Sequence, residues 1–382
     1  MFKKSLYILL VTLSGHVLAQ NSTNEVKLKS LAPPNSPAFV LMDVTPTTIS
    51  TPQSIQALSI QTLNAFSGNS NNNVAPNSYA IELQPYWYKK RTDINFFTYN
   101  NLVAKKQKPT VDDYVSYNPL GDLWKKLSVS IAFMNGTYDV FEKPQSYISV
   151  GVRTRLLSIV GIKHVETLKN SYKDYEAFMS SSAVSDLIFK QASGKLTLEE
   201  LDKAITSLDG WKKVYDAVYN SVNGKPVFAL DGAIAYSHFM GDASQDIKSA
   251  FGRFGIWFSG DLALKLPSTN QSNYFHVYGI YRYLRDGLNK DADNNLFITT
   301  NTDYGGKLEF EMDKLSVAYE YLQREGTQNE TRSFGTIRYQ INKSLTLHGG
   351  FGRNFKSESA TTTILGIQWG LDFSPSVNPM SK

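Results

Sequence analysis

Charged side chains recur at alternate positions in several segments of the sequence. Lys307, Glu309 and Glu311, for example, alternate with Leu308 and Phe310. Successive side chains of a strand point to opposite faces, so such segments predict strands with one charged and one apolar face. Charges of both signs can line a water-filled pore or pair across a filled interior, and the sequence leaves these alternatives open. The candidate lumen-lining residues are Glu82, Arg153, Arg155, Asp231, Arg253, Asp261, Arg282, Lys307, Glu309, Glu311, Glu320, Arg324 and Arg338.

Two of these charged residues could also act in catalysis. Glu309 and Glu311 share one strand face, where two carboxyl groups could act as acid and base. A hydrolase would also need a nucleophile beside a histidine, and His276 and His348 fall on inward faces. No serine stands in a recognisable nucleophile motif, and the chain has no cysteine. We therefore predict no catalytic residues and no cofactor, with a hydrolase as the least favoured alternative.

One loop has the spacing of metal ligands. Its oxygen-bearing side chains stand at alternate positions, as at the start of a calcium-binding loop. However, Asn294 stands where that motif has glycine, and Thr300 stands where it has glutamate. A hydrated surface loop is therefore favoured over a calcium site, and no metal ligand is predicted. The four side chains are Asn289, Asp291, Asp293 and Asn295.

The alternating pattern organises most of the chain. Segments of about ten residues, bounded by turn residues, are typical of transmembrane β-barrel strands. Because bacterial single-chain barrels have even numbers of strands, we predict an antiparallel barrel of about twelve, one of them hidden in the N-terminal third. The recognisable strands are residues 79–88, 127–133, 147–157, 228–236, 254–262, 275–283, 302–312, 315–322, 335–341, 345–351 and 363–373.

Composition agrees with a barrel. The chain of 382 residues contains 5 Trp, 22 Tyr and 21 Phe, which could form the aromatic girdles at the two membrane surfaces. The mean hydropathy of −0.28 is too low for a protein that spans a membrane with helices. The formal charge of +5 includes Lys3 and Lys4 of the leader described below, and it is too balanced to suggest nucleic acid as a partner.

The N-terminus has the form of a secretory leader. Lys3 and Lys4 precede the apolar run from Leu6 to Leu13, and Val17-Leu18-Ala19 offers a cleavage site, so we predict cleavage after Ala19. The predicted organisation is a signal peptide at 1–19, a linker and lumenal plug at 20–78, barrel strands at 79–162, a helical insertion at 163–223, further strands at 224–373 and a tail at 374–382.

The insertion at 163–223 changes the period of the sequence. Thr197 and Glu200 have capping-box spacing, and Leu201, Ile205 and Leu208 follow at helical spacing. About three short helices are predicted. Their apolar stripe is more typical of a subdomain core than of a docking face.

Link lengths assign the two ends of the barrel. The shortest links, 313–314 and 342–343, are predicted to be periplasmic, while 324–332 and 355–361 face outward. Counting alternate turns places 240–249 and 286–295 outside and 163–223 in the periplasm, where a helical insertion suggests a periplasmic partner.

The first part of the chain resembles a known family. Ser36-Pro37-Ala38-Phe39, a Pro-initiated helix, an Asn-rich loop and the strand 79–88 are similar to a family of uncharacterised outer-membrane β-barrel proteins of Gram-negative bacteria. The resemblance implies a barrel with an N-terminal segment near or inside its lumen. It implies no activity and no site residues. The strand ending at Phe373 resembles the signal recognised by the barrel-assembly machinery, which is therefore an expected partner, as is outer-membrane lipid.

The predicted plug is a helix at 52–66, with Thr51 as its N-cap. It would pack in the lumen against Trp257, Tyr278 and Ile280. These expectations together predict an outer-membrane protein that is a narrow or plugged porin-like channel for small hydrophilic solutes. The alternative is a non-conducting barrel that anchors a periplasmic or envelope partner through 163–223.

Overall fold

The fold is taken from a computed structural model of the chain. The predicted leader, the capping residue Thr51, the link at 342–343 and the tail at 374–382 lie outside the described residues. The structure describes residues 36–43, 58–67, 78–87, 94–136, 145–222, 224–241, 249–267, 273–291, 295–312, 314–326, 329–341, 345–355 and 361–371.

Twelve antiparallel strands form one closed barrel. Each pairs with its neighbour in the sequence, except that β2 pairs with β5 across an insertion and β1 pairs with β14 to close the ring. The prediction of a large antiparallel sheet is thereby confirmed. The barrel strands are β1 Leu58–Ser67, β2 Ser78–Leu83, β5 Ser128–Gly136, β6 Gln145–Ile159, β7 Phe228–Phe239, β8 Ala250–Lys265, β9 Tyr274–Lys290, β10 Leu296–Met312, β11 Leu315–Glu325, β12 Glu330–Gln340, β13 Leu345–Arg353 and β14 Thr361–Leu371.

Strand β1 corrects the prediction of a plug helix at 52–66. Over Leu58–Ser67 the backbone is a strand, which pairs with β2 from Leu58↔Leu83 and with β14 from Leu58↔Leu371. Without β1, the barrel would leave two unpaired strand edges in contact with lipid, where no water can satisfy their backbone groups. This requirement outweighs the weak helical pattern. Residues 58–67 are thus the strand that the sequence did not reveal.

The outward face of the barrel is apolar. On β10, Leu308 and Phe310 are 49% and 50% exposed. Glu309, which lies between them, and Lys307, which precedes Leu308, are buried. The same alternation on the other strands whose side chains are described gives a belt that requires hydrocarbon around it, as in outer-membrane proteins. The predicted outer-membrane location is therefore confirmed. None of the helices in the described ranges is long and apolar enough to cross a membrane.

Both insertions lie at the same end of the barrel. The link from β2 to β5 starts after Leu83, and the link from β6 to β7 starts after Ile159. The short turn between Met312 and Leu315 is at this end too. The strands alternate in direction around the ring, so β10 runs in the same direction as β2 and β6 and ends on the same side.

The two insertions fold together into one helical subdomain. It contains α2 Phe96–Tyr99, β3 Leu102–Ala104 paired with β4 Tyr114–Tyr117, and α3 Asp122–Lys125 from the first insertion, and α4 His164–Met179, α5 Ser182–Ala192, α6 Leu198–Thr206 and α7 Trp211–Val222 from the second. Phe96, Phe97 and Tyr114 pack into the same core as Leu168 and Ile205. The aromatic residues of the first insertion therefore complete the core of the second.

The second insertion has four helices rather than about three. Ser181 is extended, with φ −67 and ψ 154, and it separates α4 from α5. The capping box is confirmed, because the Glu200 amide donates to the Thr197 hydroxyl at 3.2 Å and the Thr197 amide donates to Glu200 at 2.8 Å. Leu201 and Ile205 are buried, so the apolar stripe belongs to the subdomain core.

Candidate functional site

A short segment of the N-terminal region lies inside the barrel. Residues 36–43, called the plug segment below, contain the single-turn helix α1 Pro37–Val40 and are buried throughout. Phe39 and Met42 pack against apolar side chains from the inner faces of seven strands. These wall residues are Ala80, Ala132, Met134, Tyr147, Phe239, Leu288, Phe334 and Ile364. The plug segment therefore fills the cross-section of the lumen at its level.

The wall makes room for the plug segment at Gly151. A Cβ atom at this position would lie 2.8 Å from Pro37 Cβ and 3.0 Å from the Ala38 amide nitrogen. Such contacts are too short for any side chain, so the backbone of α1 can approach β6 only because the residue is glycine.

Asp43 anchors the end of the plug segment to three arginines. Arg253 Nη1 donates to Asp43 Oδ2 at 2.8 Å, Arg282 Nη2 donates to Oδ1 at 2.5 Å, and Arg324 Nη2 donates to Oδ2 at 3.1 Å. These arginines, called the arginine cluster below, project from β8, β9 and β11. One carboxylate thus links the plug segment to three strands of the wall.

Two wall carboxylates share the same arginines. Asp286 accepts from Arg253 Nη2 at 2.8 Å, while Asp303 accepts from Arg282 Nε and Arg324 Nε, both at 2.7 Å. Each guanidinium group therefore donates to the wall on one side and to Asp43 on the other. This sharing holds the three side chains in fixed orientations.

Backbone carbonyl groups of the plug segment add to the anchor. Arg282 Nη1 donates to Val40 O at 3.0 Å, and Asn354 Nδ2 donates to Asp43 O at 2.9 Å. Val40 O also accepts from the Asp43 amide at 3.1 Å, so the bond from Arg282 adds to a turn that the plug segment closes by itself. Since Asn354 directly follows β13, the anchor lies toward the barrel end opposite the helical subdomain.

The pKa of Asp43 reflects this environment. Burial raises the pKa of the carboxyl group, but the positive charges of Arg282, Arg324 and Arg253 outweigh burial and hold it well below its usual range. Asp43 is therefore ionised in the docked plug segment.

A second set of charges lines the lumen near the helical subdomain. Arg153 Nη2 lies 2.6 Å from Glu82, Arg155 Nε lies 2.9 Å from Asp231, and Lys307 Nζ lies 2.6 Å from Glu309. Glu309 also contacts Arg338, Glu311 contacts Lys225, and Asp261 lies 2.8 Å from His276 Nδ1, while Glu320 is buried on the inner face of β11. The structure thus places the predicted lumen-lining residues on the inner face of the barrel. They form two groups, one around the arginine cluster and one near the helical subdomain.

Several members of these groups were not foreseen. Asp43, Asp286, Asp303, Lys225 and Arg332 are buried or hold ion pairs in the lumen. Asp303 alternates with apolar residues in its strand, so the alternating pattern contained a signal for it. Asp43 precedes the barrel strands, and nothing in its local sequence indicates partners more than 200 residues away.

The other predicted features lie elsewhere or have structural partners. Trp257, Tyr278 and Ile280 are buried, and Trp257 packs against Val40 and Leu41 of the plug segment rather than against a helix at 52–66. His348 Nε2 lies 2.9 Å from Gln368 Oε1.

The proposed calcium loop is only partly described, because Asp293 lies outside the described residues. Asn289 Nδ2 donates to Thr299 Oγ1 at 2.9 Å, and Asp291 accepts from the Asn295 amide at 2.9 Å. These bonds close a local turn, and the described residues contain no cluster that could hold a metal ion.

The sequence matches no protein-family profile and no curated protein. Among solved structures, the barrel is similar to the KdgM porin, with 9% identity, 82% of this chain and 99% of that chain covered, and a TM-score of 0.32. It is similar to the outer membrane protein Omp33 of Acinetobacter baumannii, with 10% identity, coverage of 83% and 98%, and a TM-score of 0.30. It is also similar to the β domain of the Bordetella autotransporter BrkA, with 8% identity, coverage of 82% and 99%, and a TM-score of 0.35. Values this low do not identify a common family or transfer a function.

Proposed function

We propose that the protein is a plugged, porin-like channel of the outer membrane for small hydrophilic solutes. The observation that carries this proposal is the anchoring of residues 36–43 across the lumen by Asp43 and the arginine cluster. The plug segment is not a strand of the wall, so it can leave without breaking the barrel. We propose that the closed channel opens when this segment moves.

The ion pairs of the wall support a barrel that stays intact when the plug segment leaves. In the described barrel strands, the ion pairs join residues on the same strand, on neighbouring strands or on strands two apart, as Arg155 on β6 joins Asp231 on β7. Such pairs run along the wall, so they remain in place without the plug segment. The charges near the helical subdomain are themselves buried, with Arg153 and Glu309 each 1% exposed, so the proposed channel is narrow at that level.

Conductance in planar lipid bilayers tests the proposal. Removal of residues 36–43 should convert a silent or weakly conducting protein into one with clear conductance steps. Removal of residues 20–35, which keeps the plug segment, is the matched control and should change little. Both deletions spare β1, which a larger N-terminal truncation would destroy. If the protein without 36–43 folds in detergent and remains silent, the channel proposal is wrong.

The alternative is a non-conducting barrel that anchors a periplasmic partner through the helical subdomain. Ile188, Phe189 and Leu198 are exposed there, with Phe189 at 72%, although most of the apolar stripe is internal. Substitution of these three residues by serine should reduce crosslinking to an envelope protein in intact cells if this alternative holds. We expect the helical subdomain on the periplasmic side, assembly of the barrel by the barrel-assembly machinery, and no enzymatic activity.

A further inference from the structure

We propose that Arg253, Arg282 and Arg324 form a binding site for the carboxylate group of an anionic solute, and that Asp43 occupies this site in the closed channel. This inference rests on the proposed channel function and names the class of solute that the channel would recognise.

The geometry of the arginine cluster fits a carboxylate. The planar guanidinium group presents several N–H donors in fixed directions, so each arginine donates to a wall carboxylate and to Asp43 at the same time. Here Oδ1 of Asp43 accepts from Arg282 and Oδ2 accepts from Arg253 and Arg324. Because Asp286 and Asp303 hold the arginines from the wall side, the donors stay directed at this point when Asp43 leaves.

The positive charge of the arginine cluster favours an anionic group in place of Asp43 when the plug segment leaves. Of the groups joined by hydrogen bonds, three arginines face two wall carboxylates and Asp43, so this set is neutral only while Asp43 is present. Around this set, Glu330 Oε2 lies 4.0 Å from Arg324 Nη1, and the buried Arg332 and Glu320 add one charge of each sign. A buried positive charge without a counter-charge is costly, and a solute carboxylate would remove that cost.

The backbone carbonyl groups of the plug segment indicate which groups the solute carries beside its carboxylate. Arg282 Nη1 and Arg253 Nη1 also donate to Val40 O at 3.0 Å and Leu41 O at 3.4 Å. Neutral oxygen acceptors thus lie beside the carboxylate in the docked plug segment. A carboxylate that carries adjacent hydroxyl groups offers the same combination, so we infer that the site takes a hydroxy-carboxylate.

Binding of gluconate to the purified protein tests the site, with sorbitol as the neutral polyol of similar size. Calorimetry in detergent should show saturable gluconate binding to the protein without residues 36–43, and no comparable binding of sorbitol. The intact protein should bind gluconate more weakly, because Asp43 competes for the same donors. Equal affinity for gluconate and sorbitol, or equal gluconate affinity with and without the plug segment, would overturn the inference.

Substitutions identify the site in the protein without the plug segment. Arg282→Gln should weaken gluconate binding by about tenfold or more, and Arg282→Lys, which keeps the charge but loses the fork, should weaken it less. Lys203→Gln, on the exposed surface of the helical subdomain, is the control and should leave affinity unchanged. If Arg282→Gln binds as the parent does, the site is wrongly placed. Calorimetry measures binding independently of conductance. A protein that binds gluconate but does not conduct would therefore contradict the channel proposal and leave the carboxylate site standing.

Discussion

Asp43 holds the end of the plug segment inside the barrel. Its carboxylate is the charged group of the plug segment, and it meets three guanidinium groups that come from β8, β9 and β11. In a low-dielectric environment, removal of one partner leaves the others buried without compensation. The docked position of the plug segment therefore depends strongly on the charge at this residue.

Asp43→Asn should release the plug segment. The substitution preserves shape and removes the charge, and loss of one partner of a buried pair costs about 3–5 kcal/mol. We expect a clear increase in bilayer conductance with the barrel still heat-modifiable in detergent gels. Glu199→Gln, which affects an exposed pair with Lys203, is the control and should behave as the parent protein does. A closed Asp43→Asn channel would show that apolar packing alone holds the plug segment.

Acid pH should open the channel in the same way. The pKa of Asp43 is lowered in the docked plug segment, so its contribution to docking is complete above the ordinary carboxyl pKa of about 4. The contribution is lost as the pH falls through the docked pKa. We expect conductance that is constant from pH 7 to about pH 4 and rises below it, whereas Asp43→Asn should show no such rise. A rise in both proteins would assign the effect to other carboxyl groups.

At the scale of elements, the helical subdomain is a cap built from two insertions. The end of β6 and the start of β7 are directly paired, with Ile159 opposite Phe228, so the barrel wall continues without the helices between them. Ser158 N donates to Pro119 O at 2.9 Å, which shows that the first insertion covers the edge of β6 near the rim. The helices of the second insertion bury their apolar faces against the first insertion and each other.

Deletion of residues 163–223 with a short Gly/Ser linker should leave the barrel assembled. The linker has only to join two paired strand ends, and insertions of this kind are tolerated when few wall contacts depend on them. Phe96, Phe97 and Tyr114 would lose their partners, so residues 94–117 should become sensitive to protease. Loss of the heat-modifiable form would show that the subdomain is needed for assembly of the wall.

At the scale of the whole molecule, the apolar belt sets where the protein can be stable. Closed pairing leaves no strand edge, and exposed apolar side chains surround the barrel. Water would not solvate this surface, whereas lipid hydrocarbon would. The position of the helical subdomain beyond one end keeps its polar surface out of the lipid.

The mature protein should therefore fractionate with the outer membrane. It should resist extraction by carbonate and migrate faster in detergent gels before heating than after, because the closed barrel resists detergent denaturation. An untreated whole-cell fractionation with a periplasmic marker protein provides the comparison. Recovery of the folded chain among soluble periplasmic proteins would contradict the membrane barrel.

The sequence by itself determined the wall. Alternation with a period of two is a local signal, because each strand shows by itself which residues face lipid and which face the lumen. It therefore located most strands and the charges that line the interior, such as Arg282 and Glu309. The Thr197–Glu200 capping box was also readable, because its partners are three residues apart.

Only the tertiary structure decided how the barrel closes and what fills it. Strand β1 is specified by the open edges of β2 and β14, which are distant in the chain, and these edges outweigh the weak helical pattern of its sequence. Asp43 gains its role from Arg253, Arg282 and Arg324, more than 200 residues away. Such contacts depend on the closed ring, which brings distant strands around one point, and no local pattern in the sequence records them.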